Sequence, residues 1–190
     1  GVMSVEKLGV RIRKYREERK MTREDLAAAA DVQLAVITAL EDSDLCPSIA
    51  PLQKIARALN VRLGTFMDDQ VSTDPLVVRK ASREADLTMQ KADDKRPAFR
   101  FHSLGKGKTD RNMEPFFVEI SPEPEEDRKL SSHQGEEFIV VVSGKLQIIY
   151  GKEEYILEAG DSIYYNSIVP HYAGAAGDGP AEIYAVIYYP

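Results

Sequence analysis

Two histidines and a glutamate stand where a metal site would need them. The stretch Ser131-Ser132-His133-Gln134-Gly135-Glu136-Glu137 is answered by Val169-Pro170-His171, whose histidine lies 34 positions after Glu137. His133 and Glu137 are an even number of residues apart, so on one strand, where side chains alternate, both leave from the same face. His171 follows far enough along to return on a neighbouring strand and complete a three-cornered cluster. Two imidazoles and one carboxylate suit one divalent transition metal (Fe, Ni, Zn or Mn), with coordination positions left open for small ligands. The chain has three histidines and two belong to this constellation. His102 lies in a separate early strand and reads as a satisfied histidine rather than a fourth ligand. The competing reading has His133 and His171 satisfied by Glu137 and by hydroxyls of Ser131, Tyr164 or Tyr165 inside an apolar barrel.

A cluster of this kind must be carried by strands, and the second half of the chain supplies them. Short β signals recur at 98–104, 116–120, 137–142, 145–150, 154–157, 162–165 and 181–189, with a further candidate at 76–79. Turn residues punctuate them at Gly105-Lys106-Gly107, Ser143-Gly144, Gly151-Lys152, Ala159-Gly160-Asp161 and Gly177-Asp178-Gly179-Pro180. Short strands at regular spacing predict a barrel or jelly roll, with Phe138, Val140, Ile148, Ile163 and Val186 in its core. Residues 80–97 show no helix period, and the acidic stretch 121–127, with two prolines, reads as a solvated loop.

The first 67 residues follow a different period. Leu8, Ile12 and Tyr15 recur at four and three residues on one helix face, with Arg11, Arg13, Lys14, Arg16 and Arg19 around the rest. Thr22, with Asp25 three positions on, predicts an N-cap opening a second helix through Ala30. Asp31 then makes the tight turn, and a third helix turns Val32, Val36, Ile37 and Leu40 inward. Ser48 caps a fourth helix, with Pro51 in its first turn and Ile49, Leu52, Ile55, Ala56 and Leu59 as its buried stripe. A short helix at 63–67 closes the bundle. Two short helices joined by so brief a turn are a helix-turn-helix.

Composition sets the limits. Residues 1–70 carry eleven basic and eleven acidic groups, so the whole net charge of −6 falls on residues 71–190. The second part is thereby a poor partner for nucleic acid, whereas seven of the eleven bases of the first part fall between Lys7 and Lys20. No apolar run approaches the roughly 20 residues of a spanning helix, and no signal peptide is evident. A single cysteine, Cys46, leaves no internal disulfide and fits a reducing compartment. The expectation is a soluble, cytoplasmic protein with no membrane partner.

The residues 8–20, Glu24-Asp25-Leu26-Ala27, Glu41 and the run from Pro47-Ser48 through Leu52 to Leu59 resemble the phage-repressor-like (Cro/XRE-type) DNA-binding domain. The resemblance implies that the third helix enters the major groove of double-stranded DNA, with the start of the second against phosphates. The outward positions of the third helix include Gln33, Leu34, Ala35 and Thr38. Gln33 suits adenine, and Leu34 and Ala35 suit thymine methyls. Arg23 and the basic first helix would hold phosphates. The β half resembles a cupin, a double-stranded β-helix of jelly-roll type. His133, Glu137 and Gly144 stand at its first motif's second-His, Glu and Gly positions, with Ser131 in place of the first His. Its second motif begins at Gly160-Asp161-Ser162 and keeps His171, while Asn166, Ile168 and Ala175 replace the usual Pro, Gly and Asn.

The predicted fold is therefore multi-domain α + β: an all-α helix-turn-helix bundle over 1–67, a linker over 68–74, and an all-β cupin barrel over 75–190. Three functions are compatible with it. The first is a ligand-responsive transcriptional regulator, at least a homodimer, whose barrel binds a small-molecule effector near Phe101, Ser131, Tyr164, Tyr165 and Ile187. The second is a mononuclear iron enzyme, because the phosphonate epoxidases pair the same two domain types and hold iron by His, Glu and His at positions matching His133, Glu137 and His171. In that comparison Lys20 matches a lysine directed into a neighbour's active site, while the phosphonate-binding positions fall on the apolar Phe101, Leu130 and Ile187. The third is a scaffold binding neither DNA nor metal.

Overall fold

The computed structural model describes residues 8–43, 48–66, 75–83, 87–89, 98–108 and 111–190. The expected linker at 68–74 lies outside these residues.

The N-terminal part is four α-helices and a 3-10 turn: α1 (Leu8–Glu18), α2 (Arg23–Ala30), α3 (Leu34–Ser43), α4 (Ile49–Ala58), then Leu63–Phe66. Thr22 opens α2 through a complete capping box: its hydroxyl accepts from the Asp25 amide at 3.0 Å, and the Asp25 carboxylate accepts from the Thr22 amide at 2.8 Å. Asp31 ends α2 in the left-handed region at φ 53°, a conformation that Asp tolerates better than most residues. The chain thereby turns straight into α3. Ile12, Leu26, Ile37, Leu40, Leu52, Ile55 and Leu59 are completely enclosed. Val32, Val36 and Ile49, expected in that core, are only half-buried.

The C-terminal part is an antiparallel sandwich of nine strands. A six-stranded sheet has the order β1-β2-β3-β9-β4-β7, and a three-stranded sheet the order β6-β5-β8. In chain order the strands are Leu87–Met89, Phe99–Ser103, Met113–Ile120, Glu136–Ser143, Lys145–Tyr150, Glu153–Glu158, Ser162–Asn166, His171–Ala175 and Ala181–Tyr188. Buried Phe101, Phe116, Val118, Ile139, Leu146, Ile148, Ile183 and Ile187 fill the interior. The all-α-then-all-β architecture expected from the periods is the one observed.

Several local expectations are corrected. Residues 76–79 carry no strand. The strand expected to carry His171 is His171–Ala175, outside the run of β signals: the sequence His-Tyr-Ala-Gly-Ala holds no β-branched residue, and its extended form comes from pairing with β5 from Tyr150↔His171 to Leu146↔Ala175. Phe138, placed in the core, is 39% exposed, and Val140 and Val186 are half-buried. The inward register of β4 is Glu137, Ile139 and Val141, so the residues between them face outward.

Candidate metal centre and nucleic-acid interface

Glu137 projects inward from β4, paired across the sheet with Tyr165 on β7 and Ile187 on β9. His133 does not share its strand. It precedes β4, and Gly135 between them adopts φ 107°, where a Cβ would stand 2.0 Å from the Tyr188 carbonyl oxygen. The alternation expected to align His133 with Glu137 is therefore not what aligns them. Backbone stitching does so: the His133 amide donates to Ser167 O at 3.0 Å, and the Ser167 amide to Gly135 O at 2.9 Å. Ser131 and His171 exchange amide–carbonyl bonds of 2.8 and 2.9 Å. His171 opens β8, so it reaches the cluster from the facing sheet rather than from a neighbour of β4.

The three residues converge. Nε2 of His133 lies 2.7 Å and Nε2 of His171 3.6 Å from Oε1 of Glu137, and one ligand atom from each falls within 4.8 Å of the others. All three residues are at least nine-tenths buried. Nδ1 of His133 faces Gln134 O at 3.0 Å, and Nδ1 of His171 faces Val169 O at 2.8 Å. A carbonyl only accepts, so both Nδ1 atoms carry the proton and both Nε2 atoms turn toward the carboxylate. A neutral imidazole would then set its lone pair against a carboxylate oxygen. Extra protons resolve that conflict, and so does a cation shared by the three.

Burial pushes the Glu137 carboxyl up, but hydrogen bonds from His133 and Tyr165 and the imidazole of His171 3.6 Å away outweigh it and hold the group at about 2. The Tyr165 hydroxyl donates to Oε2 at 2.5 Å, and this pairing and burial push the phenol far above its ordinary range. Burial lowers the His171 pKa, whereas Glu137 and the Val169 carbonyl raise it, and the net shift is upward. At metal–ligand lengths of about 2.0–2.2 Å, donor atoms around one ion stand ~3 to 4 Å apart. The 3.6 Å between His171 and Glu137 falls in that range and the 2.7 Å between His133 and Glu137 just below it. The ionised carboxylate and the two imidazoles with Nδ1 anchored to the backbone are the donor types and outer hydrogen bonds of such a site.

The cluster opens on a cavity of about 460 Å³, which Phe101, Ser131, Tyr165 and Ile187 also line. Tyr164 does not. It is 63% exposed and donates to Glu136 Oε2 at 2.6 Å on the outer face, because consecutive strand residues point to opposite sides. His102 lies apart, its Nε2 2.8 Å from Glu119 Oε2. The cavity wall also includes Val32, Val36, Ile49 and Lys54 of the helical part, which the sequence reading had assigned to the bundle core or had not singled out.

On the helical side, Gln33, Leu34 and Ala35 are exposed at the start of α3, and Thr38 is half-buried. The cations expected to meet phosphates are placed differently. Arg11 is buried and donates to Phe66 O at 2.6 Å. Arg16 is buried and donates twice to Glu41, at 2.6 and 3.0 Å. Arg23 donates to Glu41 at 2.8 Å and by a two-pronged contact to Asp42 at 3.1 and 2.6 Å, while Arg13 reaches Asp42 at 3.2 Å. These bonds raise the Arg23 pKa, and Arg23 in turn holds Asp42 below the usual carboxylate range. Lys14, Arg19 and Lys20 stay exposed.

Comparison with known proteins resolves the two halves. Residues 12–66 match a family model described as Helix-turn-helix, and residues 116–187 match one described as Cupin domain. The HTH-type transcriptional regulator SutR of Escherichia coli (strain K12) is 24% identical over 183 residues, 96% of this chain and 95% of that protein. The crystal structure of an HTH_3 family transcriptional regulator from Vibrio cholerae superposes with a TM-score of 0.66 at 22% identity, covering 97% of this chain and 96% of the other. The (S)-2-hydroxypropylphosphonic acid epoxidase of Streptomyces wedmorensis is 29% identical over 92 residues, 45% of this chain and 46% of the enzyme. The chain thus carries a helix-turn-helix domain over residues 12–66 and a cupin domain over residues 116–187.

Proposed function

We propose that this protein is a ligand-responsive transcriptional regulator acting in the cytoplasm. It binds operator DNA as a homodimer through α3 and takes up a small-molecule effector in the cupin barrel, where His133, Glu137 and His171 hold one divalent transition metal. The observation that carries the reading is the extent of likeness. In sequence a regulator aligns along 96% of the chain, both domains included, whereas the epoxidase aligns along 45%. In fold the epoxidase covers 95% of the chain at a TM-score of 0.51, against 97% at 0.66 for the regulator. Phe101 and Ile187 line the cavity as apolar groups and offer nothing to hydrogen-bond a phosphonate.

Metal held by three protein ligands leaves positions for an effector oxygen, and Ser131, in place of a fourth ligand, widens that opening. Among the described residues no helix is long and apolar enough to cross a membrane, in keeping with a partner that is DNA. The deciding experiment is retention of genomic fragments by the full-length protein at low salt, followed by footprinting of the retained DNA. A footprint of two half-sites is expected, and failure to retain any fragment would remove the regulatory reading. The enzyme reading rests on the His-Glu-His set and on the 29% identity to the epoxidase over 92 residues. Oxygen consumption by iron-loaded protein that disappears in Glu137→Ala would restore it.

A further inference from the structure

Val32, in the turn before α3, Val36 of α3 and Ile49 of α4 are each half-buried, while Ile37, Leu40, Leu52 and Ile55 on the two helices are fully enclosed. The bundle does not use them fully, and they turn to the barrel. With Pro51 and Lys54 they wall the 460 Å³ cavity whose lining also includes His133, Glu137 and His171. The helical part and the barrel touch directly outside that lining, where Arg62 donates to Arg111 O at 3.0 Å. There Gly64 lies so close to Arg111 that a Cβ would come within 2.3 Å of the guanidinium. Among the described residues the two parts thus touch at Arg62, Gly64 and Arg111 and share the lining of this cavity.

The chemistry of the cavity is uneven. Its barrel side carries an apolar patch, Phe101, Val118, Ile139 and Ile187, beside the polar cluster of His133, Glu137 and His171, and Glu123, Asp127 and Lys129 also belong to the lining. On the helical side, the Lys54 side chain is 36% exposed and its acidic partner, Asp31 Oδ2, is 3.9 Å away, beyond hydrogen-bonding distance. Glu123 on the rim already accepts from the Tyr172 hydroxyl at 3.1 Å. An ammonium held at the edge of apolar space has donors to offer an anion, and the bond it forms there is charge-assisted.

The geometry points to a ligand that bridges the two domains: a small carboxylate with an apolar tail. Its tail lies among Phe101, Val118, Ile139 and Ile187, and its carboxylate is held by Lys54 of α4. Occupancy clamps the helical domain to the barrel through Val36, which sits on the same helix as the DNA-facing positions. This deepens the regulatory reading and rests on it only for the consequence at DNA.

The test uses full-length protein with decanoate as the probe and decylamine as its charge-reversed counterpart, followed by calorimetry and by hydrogen exchange. Decanoate should bind and decylamine bind at least about tenfold more weakly. Lys54→Ala should weaken decanoate by roughly ten- to a hundredfold, the range of a charge-assisted hydrogen bond, and Lys54→Arg should stay within about threefold of the wild type because it keeps the charge. Decanoate should slow exchange in the first turns of α4 and in β3 and β4 together. Protection confined to the barrel, with affinity indifferent to Lys54→Ala, overturns the bridge. Absence of decanoate binding by the wild type overturns the ligand class. Neither result touches DNA retention, so loss of this inference and loss of the regulatory reading are told apart.

Discussion

Glu137 is buried and yet stays ionised, because the hydrogen bonds of His133 and Tyr165 and the nearby His171 imidazole outweigh the cost of burial. That balance has a measurable consequence for metal uptake. His171 holds its proton to higher pH than a free imidazole, and the proton must leave before its Nε2 can bind an ion. Affinity for zinc should therefore fall by roughly tenfold per pH unit on acidification below the His171 pKa, the slope of one displaced proton, and competition titrations at several pH values would read it. His171→Ala should abolish uptake while far-UV circular dichroism stays unchanged, since the strands are held by Phe116, Ile139, Ile148 and Ile183. A variant that still purified with stoichiometric metal would refute the ligand assignment.

At the scale of elements, Glu41 ties α3 to α1 and α2 through Arg16 and Arg23. Burial raises its pKa, but the two guanidiniums outweigh burial and the net shift is downward. Its stabilising effect is thus present above the unfolded carboxyl value and is lost as pH falls through the lower folded one. Glu41→Gln leaves Arg16 buried without its counter-charge and should cost about 3 kcal/mol, read as an earlier urea transition of the helical signal. The same network shapes DNA binding. Asp42 engages Arg13 and Arg23, so Asp42→Asn should remove one of the two carboxylates that hold them, leaving Glu41, and should tighten binding to every sequence and steepen the salt dependence by up to about one to two units of slope. Gln33→Ala should instead relax preference at one adenine, by about 1–3 kcal/mol. An unchanged salt slope in Asp42→Asn would show that these arginines do not reach phosphates.

For the whole molecule, the outer face of the six-stranded sheet is unusually apolar. Tyr164, Phe138, Tyr184, Tyr188 and Met113 are between 38% and 63% exposed on neighbouring strands β7, β4, β9 and β3. Exposed aromatic groups gathered on one surface favour a protein partner, and a two-fold operator calls for a second copy of the same chain. Sedimentation at micromolar concentration should give a dimer, and the double variant Phe138→Asp, Tyr164→Asp should give a monomer with an intact barrel. A dimer unaffected by those changes would move the interface elsewhere.

The sequence alone determined the order of the domains, the capping box at Thr22, the turn at Asp31, most strand positions and the three candidate metal ligands. Each of these rests on period, cap chemistry or scarce residue types, all of which are local. Tertiary structure decided the rest. Arg11, Arg16 and Arg23 look like a basic surface in sequence, but their partners Phe66, Glu41 and Asp42 lie 18 to 55 positions away. Only the packing of α1, α2 and α3 shows that these charges are already engaged. The strand His171–Ala175 has little β character of its own and is extended because β5 supplies its hydrogen-bond partners. Tyr164 and Tyr165 are indistinguishable by type, and the register of β7 against β4 sends one outward and the other to Glu137. Lys54 gave no signal at all in sequence, since what distinguishes it is a cavity that exists only where two separately folded parts of the chain meet.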